Sequence, residues 1–221
     1  MNKEELDKLR TSYDKVAEEY TRRISDELTH KPLDRQLLDR FAGGMRRRGV
    51  VCDLGCGPGH VARYLHERQV DVIGIDISRA MVEQARRLNP SIHFQQGDML
   101  SLEVEDGAWA GVVAFYSIIN IPRGEVVAAL REIERALQPG GLLLMSFHIG
   151  EGLIHMDEWW EKGVSLDFNF FRPGEVAENL REAGFVIEEV IERPSYEGVE
   201  YASRRAYIFA RKAQGVVSGA F

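Results

Sequence analysis

Three glycines at alternate positions, Gly55, Gly57 and Gly59, follow directly on the apolar run that opens VVCDLGCGPGH at residues 50–60. An amphipathic stretch comes immediately after them. A strand that feeds a glycine turn and then a helix is the opening of a βα unit. The glycines let the backbone turn tightly, and their missing Cβ atoms leave room for a ligand to lie against the chain. Structural turns also use such spacing, so the loop alone is a weak signal. Its place between a strand and a helix makes it a candidate nucleotide site.

The rest of the chain supports that frame. Short apolar runs at 50–54, 72–75, 92–94, 112–116, 142–147, 185–191 and 206–210 give seven candidate strands. Helical patterns at 60–68, 78–88 and 124–137 alternate with them, as parallel βα units require. Ser78 is placed to cap a helix whose Met81, Val82 and Ala85 share one face. Gln138-Pro139-Gly140-Gly141 should stop the next helix and turn into a strand, both glycines taking positive φ. A later helix begins near Pro173 and ends at Ala183-Gly184. The last two strands have only a polar loop between them, so they read as an antiparallel pair. The expected fold is α/β and Rossmann-like: a seven-stranded, mostly parallel sheet with one antiparallel strand near the edge and helices on both faces.

Two segments stand outside the rhythm. Residues 1–45 read as an N-terminal helical lid, with Tyr13, Val16, Ala17, Tyr20 and Ile24 on one stripe. Residues 46–221 read as the main domain, interrupted at about 148–171 by an insert rich in aromatics, expected to cap a small-molecule pocket through Trp159, Trp160, Phe168, Phe170 or Phe171. Packing of these rings into the core is the competing reading.

Carboxylates narrow the ligand. Asp76 ends the strand VIGID about twenty residues beyond the loop, where it can accept hydrogen bonds from ribose hydroxyls. Asp53, just before the glycines, would repel a pyrophosphate but tolerates a zwitterion carrying an amino group and a sulfonium. The spacing GxGxG also departs from the GxGxxG of dinucleotide loops. After the third strand, Gly97-Asp98-Met99 places a carboxylate where an adenine amino group can donate to it.

With these residues in view, the sequence resembles the class I S-adenosylmethionine-dependent methyltransferases over about residues 10–212. The resemblance rests on DLGCGPGH, GIDIS at 74–78, GDML at 97–100 and LQPGGLLLMSF at 137–147, in that order. It implies S-adenosylmethionine as cofactor and S-adenosylhomocysteine as product. It implies that Asp53, Gly55, Cys56 and Gly57 hold the methionine part and Asp76 the ribose. Ile77 and Met81 would flank the adenine, with Gly97, Asp98 and Met99 at its edge. YDKVAEEY at 13–20 is similar to the lid of small-molecule members, which brings Tyr13 and Tyr20 to the cofactor.

The acceptor is harder to read. Residues 115–120, with Tyr116 foremost, should approach the transferred methyl, because ligands sit at the carboxyl ends of the strands. They lack the Asn/Asp-Pro-Pro-aromatic signature of members that methylate amino groups of nucleobases or glutamine. His148 and His155 are candidate bases near neutral pH, each with local hydrogen bonding as the competing role. Glu197, Glu200, Tyr201, Arg204 and Arg205 could orient a polar substrate or form a solvated loop. The expected reaction is methyl transfer to an oxygen or nitrogen of a small molecule. A protein or nucleic-acid methyltransferase, a dinucleotide oxidoreductase and a non-catalytic cofactor-binding subunit are the alternatives.

Composition sets the outer limits. A net charge of −7 gives no general attraction to a phosphate backbone, and Arg46-Arg47-Arg48 reads as a solvated turn. No apolar run approaches the ~20 residues of a membrane span, and the charged start MNKEELDKLR lacks the apolar core of a secretory signal. A cytoplasmic protein is expected. Cys52 and Cys56 make a poor disulfide pair and have no companions for a metal site, so none is expected. Nothing in the sequence speaks to oligomeric state.

Overall fold

The computed structural model describes residues 1–214. The end of the expected main domain, 215–221, lies outside the described residues. Seven strands form one sheet: β1 (Val51–Leu54), β2 (Val72–Asp76), β3 (His93–Gln96), β4 (Trp109–Phe115), β5 (Leu137–His148), β8 (Phe185–Arg193) and β9 (Arg205–Lys212). Two more, β6 (Leu153–Trp159) and β7 (Lys162–Asn169), make a separate hairpin. The main sheet runs β3-β2-β1-β4-β5-β9-β8. Strands β1 to β5 pair in parallel, while β9 is antiparallel to both of its neighbours. The reversed strand is thus inserted one place from the edge. The order reverses direction at β1, between β2 and β4, and that switch point opens a crevice at the carboxyl ends of the strands.

Helices cover both faces. On one side α2 (Pro32–Met45), α3 (His60–His66) and α4 (Arg79–Leu88) bury Leu38, Phe41, Leu65 and Val82 against Val51, Val113, Leu144 and Phe209. On the other, α5 (Val126–Ala136) and α6 (Pro173–Glu182) bury Leu130, Ile133, Val176 and Leu180 against Val112, Ala114, Leu143 and Ile208. The central strands β1 and β4 are buried on both faces, as a doubly covered parallel sheet demands, whereas the edge strand β8 alternates. Local signals behave as the sequence implies at α4, where Ser78 accepts the Met81 N–H at 3.1 Å. At the start of β5 the outcome differs from expectation. Only Gly140 takes positive φ (75°). Gly141 is needed for space, since a Cβ there would lie 2.8 Å from the Gln138 carbonyl oxygen.

The segment expected to be a lid divides in two. Helix α1 (Lys3–Ile24) lies over the crevice, whereas α2 belongs to the sheet's helical layer. Val16 and Ala17 of α1 pack with Met81 of α4 and with Val164 and Leu166 of β7, forming a third apolar cluster apart from the two main ones. Polar bonds complete the attachment. Asp14 accepts from Ser78 Oγ (2.6 Å) and from the Ala80 N–H (3.0 Å), and so caps α4 from outside. Ser12 Oγ accepts the Ser165 N–H at 2.9 Å, and Lys15 donates to the Gly163 carbonyl at 2.8 Å. The insert is therefore a hairpin strapped to α1. Its turn, Trp160-Glu161, holds two non-glycine residues at positive φ (51° and 62°). Of the insert's aromatics, Phe171 is fully buried and belongs to the main core.

Candidate functional site

One cavity of about 700 Å³ fills the crevice, bounded by the glycine loop, the carboxyl ends of β1, β2, β4 and β5, the inner side of α1, the β6–β7 hairpin and residues 199–205. This volume falls within the range of sites that enclose whole small ligands.

The loop is built for close approach. Gly55 and Cys56 donate their N–H groups to the Ile75 carbonyl (2.7 and 3.0 Å), which pins the loop to β2. Gly55 sits at φ +73°, and a Cβ on it would lie 2.4 Å from Ser117 Cβ. Asp76 accepts from the Gly57 N–H (2.7 Å) and the Ser78 N–H (2.8 Å), so the acidic residue and the loop form one unit. Burial raises Asp76 to about 6, although both N–H groups favour its ionised form.

The residues expected around the nucleoside come together on one side of the cavity. Asp76, Ile77, Met81, Gly97, Asp98 and Met99 all line the cavity, and Asp98 is steadied by the Leu100 N–H at 2.9 Å. Tyr13 and Tyr20 reach in from α1, 6.4 Å apart, and Tyr20 stands 6.1 Å from Trp160 and 5.7 Å from Trp159. Tyr13 donates to Asn120 Oδ1 at 2.8 Å. Burial pushes both phenols upward, so both stay protonated.

Two loop residues lie elsewhere. Asp53 and Cys56 do not line the cavity. Asp53 is buried behind the loop, where it accepts the Ala62 N–H at 2.9 Å and holds the first turn of α3. Burial pushes its carboxyl to about 7. The Cys56 side chain is buried beside Gly74 in β2. For Asp53 the cause is strand alternation, which turns Leu54 toward the cavity and Asp53 away from it.

At the far end, Tyr116 stands at the tip of β4 in the left-handed region (φ 54°), a strained backbone for a non-glycine residue. The His148 ring lies 5.2 Å from it, and Lys31 Nζ and Arg205 flank it at 5.5 and 5.8 Å. His148 lines the cavity and bonds Ser203 Oγ through Nδ1 at 2.8 Å. Burial, and next the charge of Arg205, press its ring down to about 3. Neutral at any ordinary pH, His148 is a weak proton acceptor. His155 is outside the cavity, exposed on β6 between Asp167 (2.6 Å) and Asp157 (3.1 Å). The expectation of a base there is corrected by strand alternation: Ile154 and Met156 face the cavity, and His155 faces the other way.

Of the residues flagged in the 196–205 loop, Glu200, Tyr201 and Arg205 line the cavity and Glu197 and Arg204 do not. Trp159, Trp160, Phe168 and Phe170 also line it. Three charged lining residues had no signal in the sequence: Arg23, Glu27 and Lys31. Lys31 is bonded to Glu27 at 2.7 Å and lies 3.5 Å from Glu200, and Glu27 also meets His60 at 3.1 Å. Behind them, Arg193 bridges Asp34 (2.9 Å) and Glu200, and Tyr207 donates to Asp34 at 2.8 Å. Among the described residues no group of three or more His, Cys, Asp or Glu side chains is arranged to hold a metal ion, and no helix is long and apolar enough to cross a membrane.

The residues fit the expected cofactor. Ser117 Oγ on the cavity wall is buried without a partner, and the carboxylates of Asp76 and Asp98 both line the cavity beside the glycine loop.

Comparison with known proteins agrees. Residues 51–141 match the methyltransferase-domain family. The malonyl-acyl-carrier-protein O-methyltransferase of Pseudescherichia vulneris is 26% identical over 152 residues, covering 66% of this chain and 58% of that protein. The trans-aconitate 2-methyltransferase of Azoarcus sp. is 33% identical over 137 residues, covering 59% of this chain and 47% of that one. The chain thus spans about half the length of the curated relatives it matches. In fold it is similar to the CcbJ methyltransferase of Streptomyces caelestis, with a TM-score of 0.71 and 16% identity over 93% of this chain and 99% of that one. Glycine loop, strand order and the methyltransferase-domain match over residues 51–141 together support a class I S-adenosylmethionine-dependent methyltransferase.

Proposed function

We propose that the protein transfers a methyl group from S-adenosylmethionine to an oxygen or nitrogen of a small molecule. The observation that carries this is the continuity of the cavity. Its Asp76–Asp98 side and its Tyr116–His148 end are one continuous space under α1 and the hairpin, suited to a small molecule seated beside the cofactor. The names of the relatives, which specify malonyl-carrier and trans-aconitate methylation, support a small acceptor.

When bound, the cofactor supplies an activated methyl on a sulfonium, a good leaving group. The chain's work is then to bind, orient and exclude water. Asp76 and Asp98 fix the nucleoside, Tyr13, Tyr20 and Trp159 shut the site from solvent, and Tyr116 and Ser117 form the wall beside the glycine loop. Two free, buried cysteines suit a reducing compartment, which supports a cytoplasmic setting.

The test is calorimetry with S-adenosylhomocysteine. The wild type should bind, and Asp76→Ala should bind about ten- to a hundredfold more weakly, having lost a charge-assisted ribose contact. If the wild type ignores the ligand at millimolar concentration, the reading fails.

A further inference from the structure

The end of the cavity away from the adenine side holds more hydrogen-bond donors than acceptors can use. Lys31 and Arg205 both line it, at 4% and 2% exposure. The carboxylates beside them are committed. Glu27 serves Lys31 and His60, and Glu200 serves Arg193, Arg205 (3.4 Å), Lys31 and the Tyr196 N–H (2.9 Å). Donor capacity remains. An ammonium has three N–H groups, and Lys31 has two carboxylate partners. Arg205 spends its terminal nitrogens on Ser203 and the Tyr201 carbonyl, and its Nε is buried with no partner.

We propose that this end takes the methyl acceptor as a carboxylate, with Lys31 and Arg205 holding its oxygens and an apolar body lying against Ile154, Phe168, Phe170 and Val199. The proposal rests on the methyltransferase reading above. A carboxylate is acceptor-only, with about four lone-pair sites, and so complements a wall of spare charged donors. It is also ionised already at neutral pH. Its oxygen forms the new C–O bond to the methyl carbon while the C–S bond breaks and sulfur keeps the electron pair. A neutral ester and a thioether result, and no proton moves.

The wall agrees with a reaction that needs no base. His148 is a poor proton acceptor and Tyr116, raised by burial, keeps its own proton. A phenol or ammonium acceptor would have to give up a proton to a group that neither of these residues offers.

The test uses wild-type protein saturated with S-adenosylhomocysteine, titrated by calorimetry with alkanoic and arylalkanoic acids and with primary amides of matched size. The acids should bind about ten- to a hundredfold tighter than the amides. Lys31→Gln should remove that margin and Lys31→Arg should keep it, with S-adenosylhomocysteine affinity unchanged in both as proof of folding. In parallel, label transferred from methyl-labelled S-adenosylmethionine should be released by alkali as methanol. Equal binding of acids and amides, absence of acid binding at millimolar concentration, or label that is wholly stable to alkali overturns the proposal. Failure of S-adenosylhomocysteine itself to bind overturns the methyltransferase reading, and this proposal with it.

Discussion

Lowering the pH from about 7 to about 5 should weaken S-adenosylhomocysteine binding roughly tenfold, and Asp76→Asn should abolish that dependence. Burial holds Asp76 at about 6 where the ordinary carboxyl lies at 3.8, and the charge of Asp14 adds to the rise. A group of that pKa is about nine-tenths ionised at pH 7 and about one-tenth ionised at pH 5. Ribose hydroxyls donate far better to the ionised form, so affinity follows its fraction. The loss is about tenfold, or ~1.4 kcal/mol. Affinity therefore climbs as pH rises through about 6 and levels off above 7. For folding of the free protein the sign is opposite. The folded pKa exceeds the unfolded one, so the stability Asp76 contributes is full below about 4 and is lost as pH rises through about 6. His148, near 3, and Glu27, near 2, are silent in this window. Asp53, near 7, does titrate but faces away from the cavity, so Asp53→Asn should retain the dependence. Calorimetry at constant ionic strength between about pH 5 and pH 8 decides the matter. A flat wild-type profile, or an unchanged slope in Asp76→Asn, would refute the reasoning.

Gly55→Ala should lower the melting temperature by several degrees, since the new Cβ meets Ser117 Cβ at 2.4 Å in a backbone at φ +73°; a cost of about 1–3 kcal/mol is expected. Thermal unfolding with and without S-adenosylhomocysteine checks it, and an unshifted melting curve counts against the close-approach geometry. His155→Ala should leave kcat within about twofold of wild type, as an exposed surface pair contributes little. A hundredfold fall in kcat would restore His155 as a catalytic candidate.

The sheet was legible because its strands carry periodic apolar runs and its turns carry glycine or proline. Strands β8 and β9 read as an antiparallel pair because only a polar loop joins them; that β9 is the reversed one comes from the sheet order. The hairpin was not legible as two strands. Its turn uses Trp160 and Glu161 at positive φ, where the usual signal is Asn-Gly or Asp-Gly, and its aromatic run lacks clean alternation. That Asp76, Asp98 and Met81 line the cavity is legible because each ends a strand or follows closely on one. Asp53 and Cys56 were misplaced because the sequence shows adjacency to the loop but not which way a side chain points. Lys31 and Glu27 left no trace at all: they fall within residues 1–45, which read only as helical, and their contacts are with Glu200 and His60, distant in sequence. Tyr116 was flagged by position, but its left-handed backbone is a property of the assembled tip of β4.

Helix α1 roofs a space from which a spent nucleoside must leave. Its attachments include the apolar cluster around Val16 and the bonds of Ser12, Tyr13, Asp14 and Lys15, none of which belongs to the strand ladder. Parting the roof therefore breaks a local set of contacts and spares the strand ladder, an opening of the sub-global kind. Where such an opening is slower than the chemistry, it fixes the turnover number. In that case the strength of the side-chain hydrogen bonds on the first helix, and not the reactivity of the sulfonium, sets how often each molecule can begin a new cycle.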